Sequence, residues 1–276
     1  MRQAADRLAR RLPRKRAMIT GAASGLGLAF SKRLSAGGWT LGLMDRNAEH
    51  LARVKHSLNS IDNTVHTYHV DVADADAMAN AIARFAQTER GLDLMINNAG
   101  VAAAGDFLDT PLADWRWIVD INLLGVVHGC RAALPHMTAA HLGQIINIAS
   151  AAGFACAPSM SAYNVTKAGV IALSETLMAE LAGSGIQVSV VMPGFFQTNL
   201  LDGSRSTPAA AAVARDLMAG SKTNADQIAE TVLAAAARGE THIVLPRMYR
   251  MLWRWKRWAP RRFVRMYARM RRGTSR

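Results

Sequence analysis

Tyr163 and Lys167 stand four residues apart in Ser161-Ala162-Tyr163-Asn164-Val165-Thr166-Lys167, within a stretch from Ser161 to Gly183 whose pattern predicts a helix. One helix face therefore carries both side chains. A free phenol titrates near pH ~10 and exchanges protons poorly at neutrality, whereas an adjacent ammonium favours the phenolate and lowers that value. The pair is a candidate acid/base. Taken alone, the same spacing describes an ordinary solvated surface pair, so its meaning depends on what accompanies it.

The elements that would position it begin near the N-terminus. Ala17-Met18-Ile19-Thr20 predicts a short strand running into Gly21-Ala22-Ala23-Ser24-Gly25-Leu26-Gly27, with a helix from about Leu28. Phosphate binding needs that order, because glycines let backbone approach a pyrophosphate while the free N–H groups and dipole of a helix start face the anion. A tight strand-to-helix turn would also use glycines. The spacing is Gly-x-x-x-Gly-x-Gly and lacks the Gly-Lys-Ser/Thr of nucleoside triphosphate loops, which disfavours that chemistry. A second strand, Trp39 to Asp45, ends in a carboxylate about twenty residues after the glycine turn, where an adenosine ribose would lie. Asp45 there can accept bonds from both ribose hydroxyls and repels a 2′-phosphate, which favours NAD. Arg46 follows directly and could hold that phosphate, so NADP stays open. A turn or capping role for Asp45 is compatible with either.

Further strands are predicted at Val65 to Val70, Leu92 to Ile96, Gln144 to Ile148 and Ile186 to Met192, with helical patterns between them. This alternation predicts an α/β fold: a Rossmann-like, doubly wound parallel sheet in a single domain, covered on both faces, with its ligand crevice at the carboxyl ends of the strands. The polar motifs fall at those ends. Asp71 ends the third strand, Asn97-Asn98-Ala99-Gly100 the fourth, Ser150 the fifth and Pro193-Gly194 the sixth.

Over approximately residues 15 to 246 the chain resembles the short-chain dehydrogenases/reductases. Thr20 to Gly27 looks like their cofactor motif, Asn97 to Gly100 like their structural motif, and Asn122, Ser150, Tyr163 and Lys167 like their catalytic tetrad in order. The resemblance implies hydride transfer between a nicotinamide and an alcohol or carbonyl. Tyr163 would be the general acid/base, Lys167 its charge partner and a ribose ligand, and Ser150 the holder of the substrate oxygen. Asn122 would position a water, with backbone bonding at a helix irregularity as an additional duty. Cofactor contacts are implied for Thr20, Gly21, Ala23, Ser24, Gly25, Leu26, Gly27, Asp45, Arg46, Asp71, Val72, Asn98, Ala99, Gly100, Tyr163, Lys167, Pro193, Gly194 and Thr198. Val191 and Thr198 would approach the nicotinamide end.

Other chemistries fail on inventory. The eight histidines are scattered without His-Glu-x-x-His, so no metal site is expected. Cys130 and Cys156 suggest no disulfide-built fold, and Cys156 reads as apolar packing. Ser150 is not in a Gly-x-Ser-x-Gly elbow. A nucleotide-sensing binding protein that lost its chemistry should carry a damaged tetrad, and this one is intact. No apolar run reaches the roughly 18 to 20 residues of a membrane span, and no secretory signal is apparent, so a cytoplasmic chain is expected.

The net charge of +13 is concentrated at the ends. Residues 1–16 hold seven basic groups and one acid, 246–276 twelve and none, and the middle carries −5. This suggests a basic N-terminal extension over 1–14, a catalytic domain over 15–246 and a basic, Trp-rich helical tail over 247–276. In the tail, Arg247, Arg250, Arg254, Arg257 and Arg261 repeat at three and four, as do Met248, Met251 or Leu252, Trp255 and Trp258. Beyond Pro260, Arg262, Arg265, Arg269 and Arg272 oppose Phe263, Met266, Tyr267 and Met270. Residues 1–12 echo this through Ala5, Leu8 and Leu12. An interfacial helix needs that pattern, so the expected partner is an anionic membrane surface on the inner face. The competing reading packs the tryptophans on the enzyme's own body or a second subunit, over the substrate pocket. Nucleic acid is disfavoured because the tryptophans share one helical face. A homo-oligomer, dimer or tetramer, is expected.

The resemblance implies a substrate pocket built from variable loops, here Val101 to Phe107, Ala151 to Met160 and Phe195 to about Ala219. Ala152, Phe154, Met160, Phe195, Phe196 and Leu200 there are apolar, which points to a hydrophobic secondary alcohol or ketone, lipid-like or steroid-like. Reduction of 3-oxoacyl thioesters on a carrier protein or coenzyme A is the alternative enzyme reading.

Overall fold

A computed structural model describes residues 3–58, 64–198, 200–201 and 203–274, with side chains through residue 269. Met270 and Arg272 as side chains, the extreme ends of both basic extensions and positions 199 and 202 of the Phe195 to Ala219 segment lie outside the described residues. The elements in chain order are α1 (Gln3–Ala9), β1 (Arg16–Thr20), α2 (Gly25–Ala36), β2 (Thr40–Asp45), α3 (Ala48–Leu58), β3 (Val65–His69), α4 (Ala75–Thr88), β4 (Leu94–Asn97) and β5 (Ala103–Ala104). There follow α5 (Leu112–Val119), a π-helical turn (Asp120–Leu124), α6 (Gly125–Ala140), β6 (Gly143–Ile148), α7 (Ala152–Ala155), α8 (Ser161–Glu180), β7 (Ile186–Pro193) and β8 (Arg205–Ser206). Last come α9 (Pro208–Ala219), α10 (Ala225–Ala237), β9 (His242–Leu245), α11 (Arg247–Trp258) and α12 (Pro260–Thr274).

Seven strands form one parallel sheet in the order β3-β2-β1-β4-β6-β7-β9. The central strands β1, β4 and β6 are buried along their whole length, as a sheet covered on both faces requires. Alternation along β1 sends Ala17 and Ile19 into one core with residues of α1, α2 and α10, and Met18 into the other with residues of α4, α6 and α8. Strand order reverses between β1 and β4, which opens a crevice at their carboxyl ends. All six strands expected from sequence are present, and β9 is a seventh.

Three sequence expectations are corrected. Ala5, Leu8 and Leu12 form no interfacial face: they are buried where α1 packs against α10 and α2. Cys156 is exposed at the left-handed end of α7 and is not a packing residue. Leu112–Ala140 runs as one continuous 29-residue helix that by length and composition could cross a membrane. Its contacts with α4, β4 and β6 account for the apolar face.

Beneath the sheet, Arg16 and Asp93 form a buried ion pair, with Nη2–Oδ1 at 2.6 Å and Nε–Oδ2 at 2.9 Å. The Arg16 amide also donates to Asp93 Oδ2, fixing β1 beside the start of β4. Removing one partner strands a buried charge, so Asp93→Ala is expected to lower stability by about 3–5 kcal/mol, and adding Arg16→Met should recover much of the loss. Urea denaturation of the two variants checks this; equal losses in both would contradict it.

Candidate active site

The glycine turn closes on itself because two of its residues have no side chain. A Cβ on Gly27 would stand 2.0 Å from the Gly21 carbonyl oxygen, and one on Gly21 would stand 2.9 Å from Ala99 Cα. The turn is tied across to β4. Thr20 Oγ1 accepts the amides of Asn98 and Ala99, both at 2.9 Å, and Asn98 Nδ2 donates to the Thr20 carbonyl at 2.9 Å. It is tied to β2 as well, for the Ala23 amide donates to Asp45 Oδ2 at 3.0 Å. The second Asp45 oxygen accepts the Asn47 amide at 2.9 Å, fixing the carboxylate's orientation while leaving lone pairs toward the crevice.

One crevice gathers Gly21, Ser24, Gly25, Leu26, Asp45, Arg46, Asp71, Val72, Asn98, Ala99, Gly100, Tyr163, Lys167, Pro193 and Thr198 on its walls, with Phe196 and Leu200 toward the substrate segments. Thr20, Ala23 and Gly27, also among the expected cofactor contacts, are buried beside the crevice, where they shape the turn. Thr198 faces the glycine turn instead of the far end of the crevice, its Oγ1 3.2 Å from the Cβ position of Gly25. Val191 is fully buried within β7. Gly194 is roofed by Tyr249, whose ring would lie 2.3 Å from a Cβ there. Val101 begins an expected substrate segment, but sequence motifs did not reveal Val70, Ile121, Ile148 and Ala149 as wall residues. For Val70, Ile148 and Ala149 the position at a strand end was the available signal, whereas Ile121 lies in the π-helical turn.

Tyr163 and Lys167 share the inner face of α8, with Nζ 5.7 Å from the phenol ring centroid. Both are buried, at 7% and 4% exposure. Lys167 Nζ donates to the Ile148 carbonyl at 2.9 Å, anchoring the amine to the end of β6. Asn122, in the π-helical turn, clamps Val101 by accepting its amide at 2.8 Å and donating to its carbonyl at 2.9 Å. This is the backbone duty expected at a helix irregularity. Asn122 Oδ1 and Lys167 Nζ converge on Gly100, lying 3.2 and 3.5 Å from its Cβ position. Ser150 hydrogen-bonds Tyr163, and its Oγ accepts the Ala152 amide at 3.1 Å.

Burial pushes the Tyr163 phenol up to about 12, opposed only by the Ser150 hydrogen bond, and holds the Lys167 ammonium down to about 8. The expected lowering of the phenol by its ammonium is therefore absent here. An amine titrating near 8 is already neutral where the phenol would ionise, and it brings no charge to bear. At neutral pH the pair is a protonated phenol beside a largely charged amine.

Among the expected substrate residues, Phe196 and Leu200 line the crevice, and Ala152, Met160 and Leu200 pack against the small apolar cluster of Ala103, Ile118, Ala162 and Tyr163. Phe154 instead belongs to the core beneath α7, and Phe195 is half-buried off the crevice wall. The segment that carries Leu200 is fastened by a latch that sequence inspection missed. Pairing of β5 with β8 places Arg205 4.3 Å over the Trp117 ring and 2.9 Å from Asp114 Oδ1.

A family profile described as short chain dehydrogenase matches residues 15–209. The chain belongs to the short-chain dehydrogenase family. It is accordingly an oxidoreductase that uses NAD or NADP. Its relatives include a 2-(R)-hydroxypropyl-CoM dehydrogenase of Xanthobacter autotrophicus, 36% identical over 66% of this chain and 74% of that one. A 3-oxoacyl-[acyl-carrier-protein] reductase of Thermotoga maritima is 28% identical over 84% of this chain and 94% of that one. A short-chain dehydrogenase from Burkholderia phymatum, solved in complex with NAD, superposes with a TM-score of 0.81 at 30% identity, covering 88% and 92% of the two chains.

Lys167 makes stability pH-dependent. Its ammonium is depressed from 10.5 to about 8, so between those values the unfolded chain holds a proton that the folded one has released. Stability therefore rises with pH across that window and is lost as pH falls through about 8. Lys167→Met should lack this rise, as urea midpoints at a series of pH values would report; parallel curves for the two proteins would contradict it.

Proposed function

We propose that the protein interconverts a hydrophobic secondary alcohol and its ketone, with NAD as the preferred cofactor and Tyr163 as the proton-transferring group. The observation that carries this reading is the convergence of Tyr163, Lys167, Asp45 and the glycine turn on one crevice whose substrate end is walled by Phe196 and Leu200. The glycine cradle fits a dinucleotide, since added Cβ atoms would fill the space at Gly21 and close the turn at Gly27. Gly21, Ser24, Gly25 and Leu26 would hold the pyrophosphate, Asp45 the adenosine ribose, Asp71 and Val72 the adenine side, and Lys167 the nicotinamide ribose. Asp45 supports NAD by repelling a 2′-phosphate, its carboxylate already oriented by Ala23 and Asn47. When bound, the dinucleotide supplies hydride acceptance or donation and, in its oxidised form, a positive ring charge.

The chain's own residues supply the proton. In the reductive direction, the neutral Tyr163 phenol gives its proton to the carbonyl oxygen while Ser150 holds that oxygen. In the oxidative direction, the phenolate takes the hydroxyl proton back. Because burial favours the neutral phenol, reduction is supported at neutral pH and oxidation quickens as pH rises. Lys167, largely charged at neutral pH, faces the protonated phenol that serves reduction, and Asn122 clamps the Val101 backbone.

A second reading, reduction of 3-oxoacyl thioesters, is favoured by the similarity to the Thermotoga maritima reductase along most of both chains. A panel of long-chain secondary alcohols, their ketones, small polyols and carrier-bound 3-oxoacyl thioesters, each tried with both cofactors, separates the readings. Hydrophobic alcohols and ketones with NAD or NADH should give the highest kcat/KM; faster turnover of polyols would defeat the proposal, and faster turnover of thioesters would install the second reading. Tyr163→Phe should reduce turnover by roughly 10²–10⁴-fold while leaving dinucleotide affinity nearly unchanged. Undiminished turnover would remove Tyr163 from its role.

A further inference from the structure

Helix α11 divides into three longitudinal sectors, not the two expected of an ordinary surface helix. With about 100° per residue, Tyr249, Leu252, Trp253 and Lys256 share one side. That side is the inward one: Tyr249 covers Gly194, Trp253 stacks on His242 at 5.5 Å, and all four are at least half-buried. The second sector holds Arg247, Arg250, Arg254 and Arg257, all exposed. Between the basic sector and the inward one, Met248, Met251, Trp255 and Trp258 form a stripe pointing away from the body, at 61, 72, 38 and 88% exposure. The stripe named from sequence as the apolar side is therefore the outward one.

The second tail helix repeats the arrangement. Phe263 is buried against Trp255 and Tyr267, at centroid distances of 5.1 and 5.5 Å, which fastens α12 to α11. Val264 is 55% exposed beside exposed Arg261, Arg262 and Arg265. Twelve basic and no acidic residues lie in 246–276, although the rest of the chain is nearly balanced, with 21 basic and 20 acidic residues. An exposed apolar stripe alone would fit many partners. A stripe containing two tryptophans, flanked by arginines without a compensating acid, is complementary to an apolar layer lying under a sheet of negative headgroups.

We propose that the outward stripe of α11, with Val264 of α12, docks the protein on an anionic lipid bilayer surface. Helix α11 is about 18 Å long, too short to cross the roughly 30 Å hydrocarbon core, so it lies in the plane of the interface. Trp255 and Trp258 enter the headgroup boundary while the arginines meet phosphate. The inward sector holds the helix to β9 and α7, so docking sets the catalytic body on the membrane in a fixed orientation. This inference stands on the tail alone and does not depend on which alcohol or ketone is the substrate.

The test uses the full-length protein and sucrose-loaded vesicles of phosphatidylcholine, with and without phosphatidylglycerol. The native protein should sediment with the anionic vesicles, far less with the neutral ones, and less at high salt. Met248→Ser/Met251→Ser/Trp258→Ser, confined to the three most exposed stripe positions, should lower the partition coefficient roughly tenfold or more. Arg247→Gln/Arg250→Gln/Arg254→Gln should erase the preference for anionic lipid. Retained dinucleotide binding shows that each variant is folded. A native protein left in the supernatant, or variants that sediment like the native protein, overturn the proposal. So does a stripe consumed by self-association, seen as a dimer that dissociates in the serine variant, or salt-sensitive binding to single-stranded oligonucleotide in place of vesicles.

Discussion

Dehydration of an amine and a phenol one helical turn apart is the constraint around which the site is built. Lys167 is surrounded by protein, its ammonium donating to the Ile148 carbonyl at 2.9 Å, and Tyr163 is buried above it. Taking either charged form out of water is costly, so each group is held toward its neutral form: the amine down to about 8, the phenol up to about 12. The pair is consequently sensitive to any charge that enters the crevice. A surface pair at the same spacing would be screened by water and could not be tuned in this way.

The rest of the sheet keeps that pair at the edge of a dinucleotide-sized crevice. Reversal of strand order between β1 and β4 opens the space, and three side-chain clamps define its rim. Asn98 and Thr20 lock the glycine turn to β4, Ala23 locks it to Asp45, and Asn122 holds Val101 at the π-helical turn. Each uses a side chain to satisfy backbone groups that the strands leave unpaired at their ends. Much of what a motif preserves in such a site is thus geometry of the backbone, and ligand contact falls to fewer residues.

That division explains what the sequence made legible. Strands, the glycine turn and the polar motifs near strand ends follow from periodicity and spacing, although α2 begins at Gly25 and not at about Leu28, and β4 spans Leu94–Asn97 and not Leu92 to Ile96. Thr20, Ala23 and Gly27 sit in the same motif as Gly21, Gly25 and Leu26, yet which of them line the crevice depends on how the turn packs against β2 and β4, and that packing is a tertiary property. The Arg205 latch joins residues about ninety positions apart and has no local signature. In the tail, spacing at three and four identified amphipathic helices. Three sectors satisfy that period equally well, and only contact with Gly194 and His242 shows which one faces inward. Likewise Leu8 and Leu12 have an interfacial pattern but meet α10.

Ultraviolet difference titration of the free protein against Tyr163→Phe isolates the phenolate of that one residue and tests directly whether burial governs the pair. With the phenol pushed up to about 12, no Tyr163 phenolate signal should develop by the ordinary tyrosine value of 10. A Tyr163 phenol already half-ionised at or below pH 10 would contradict the account, because the neighbouring amine would then outweigh dehydration.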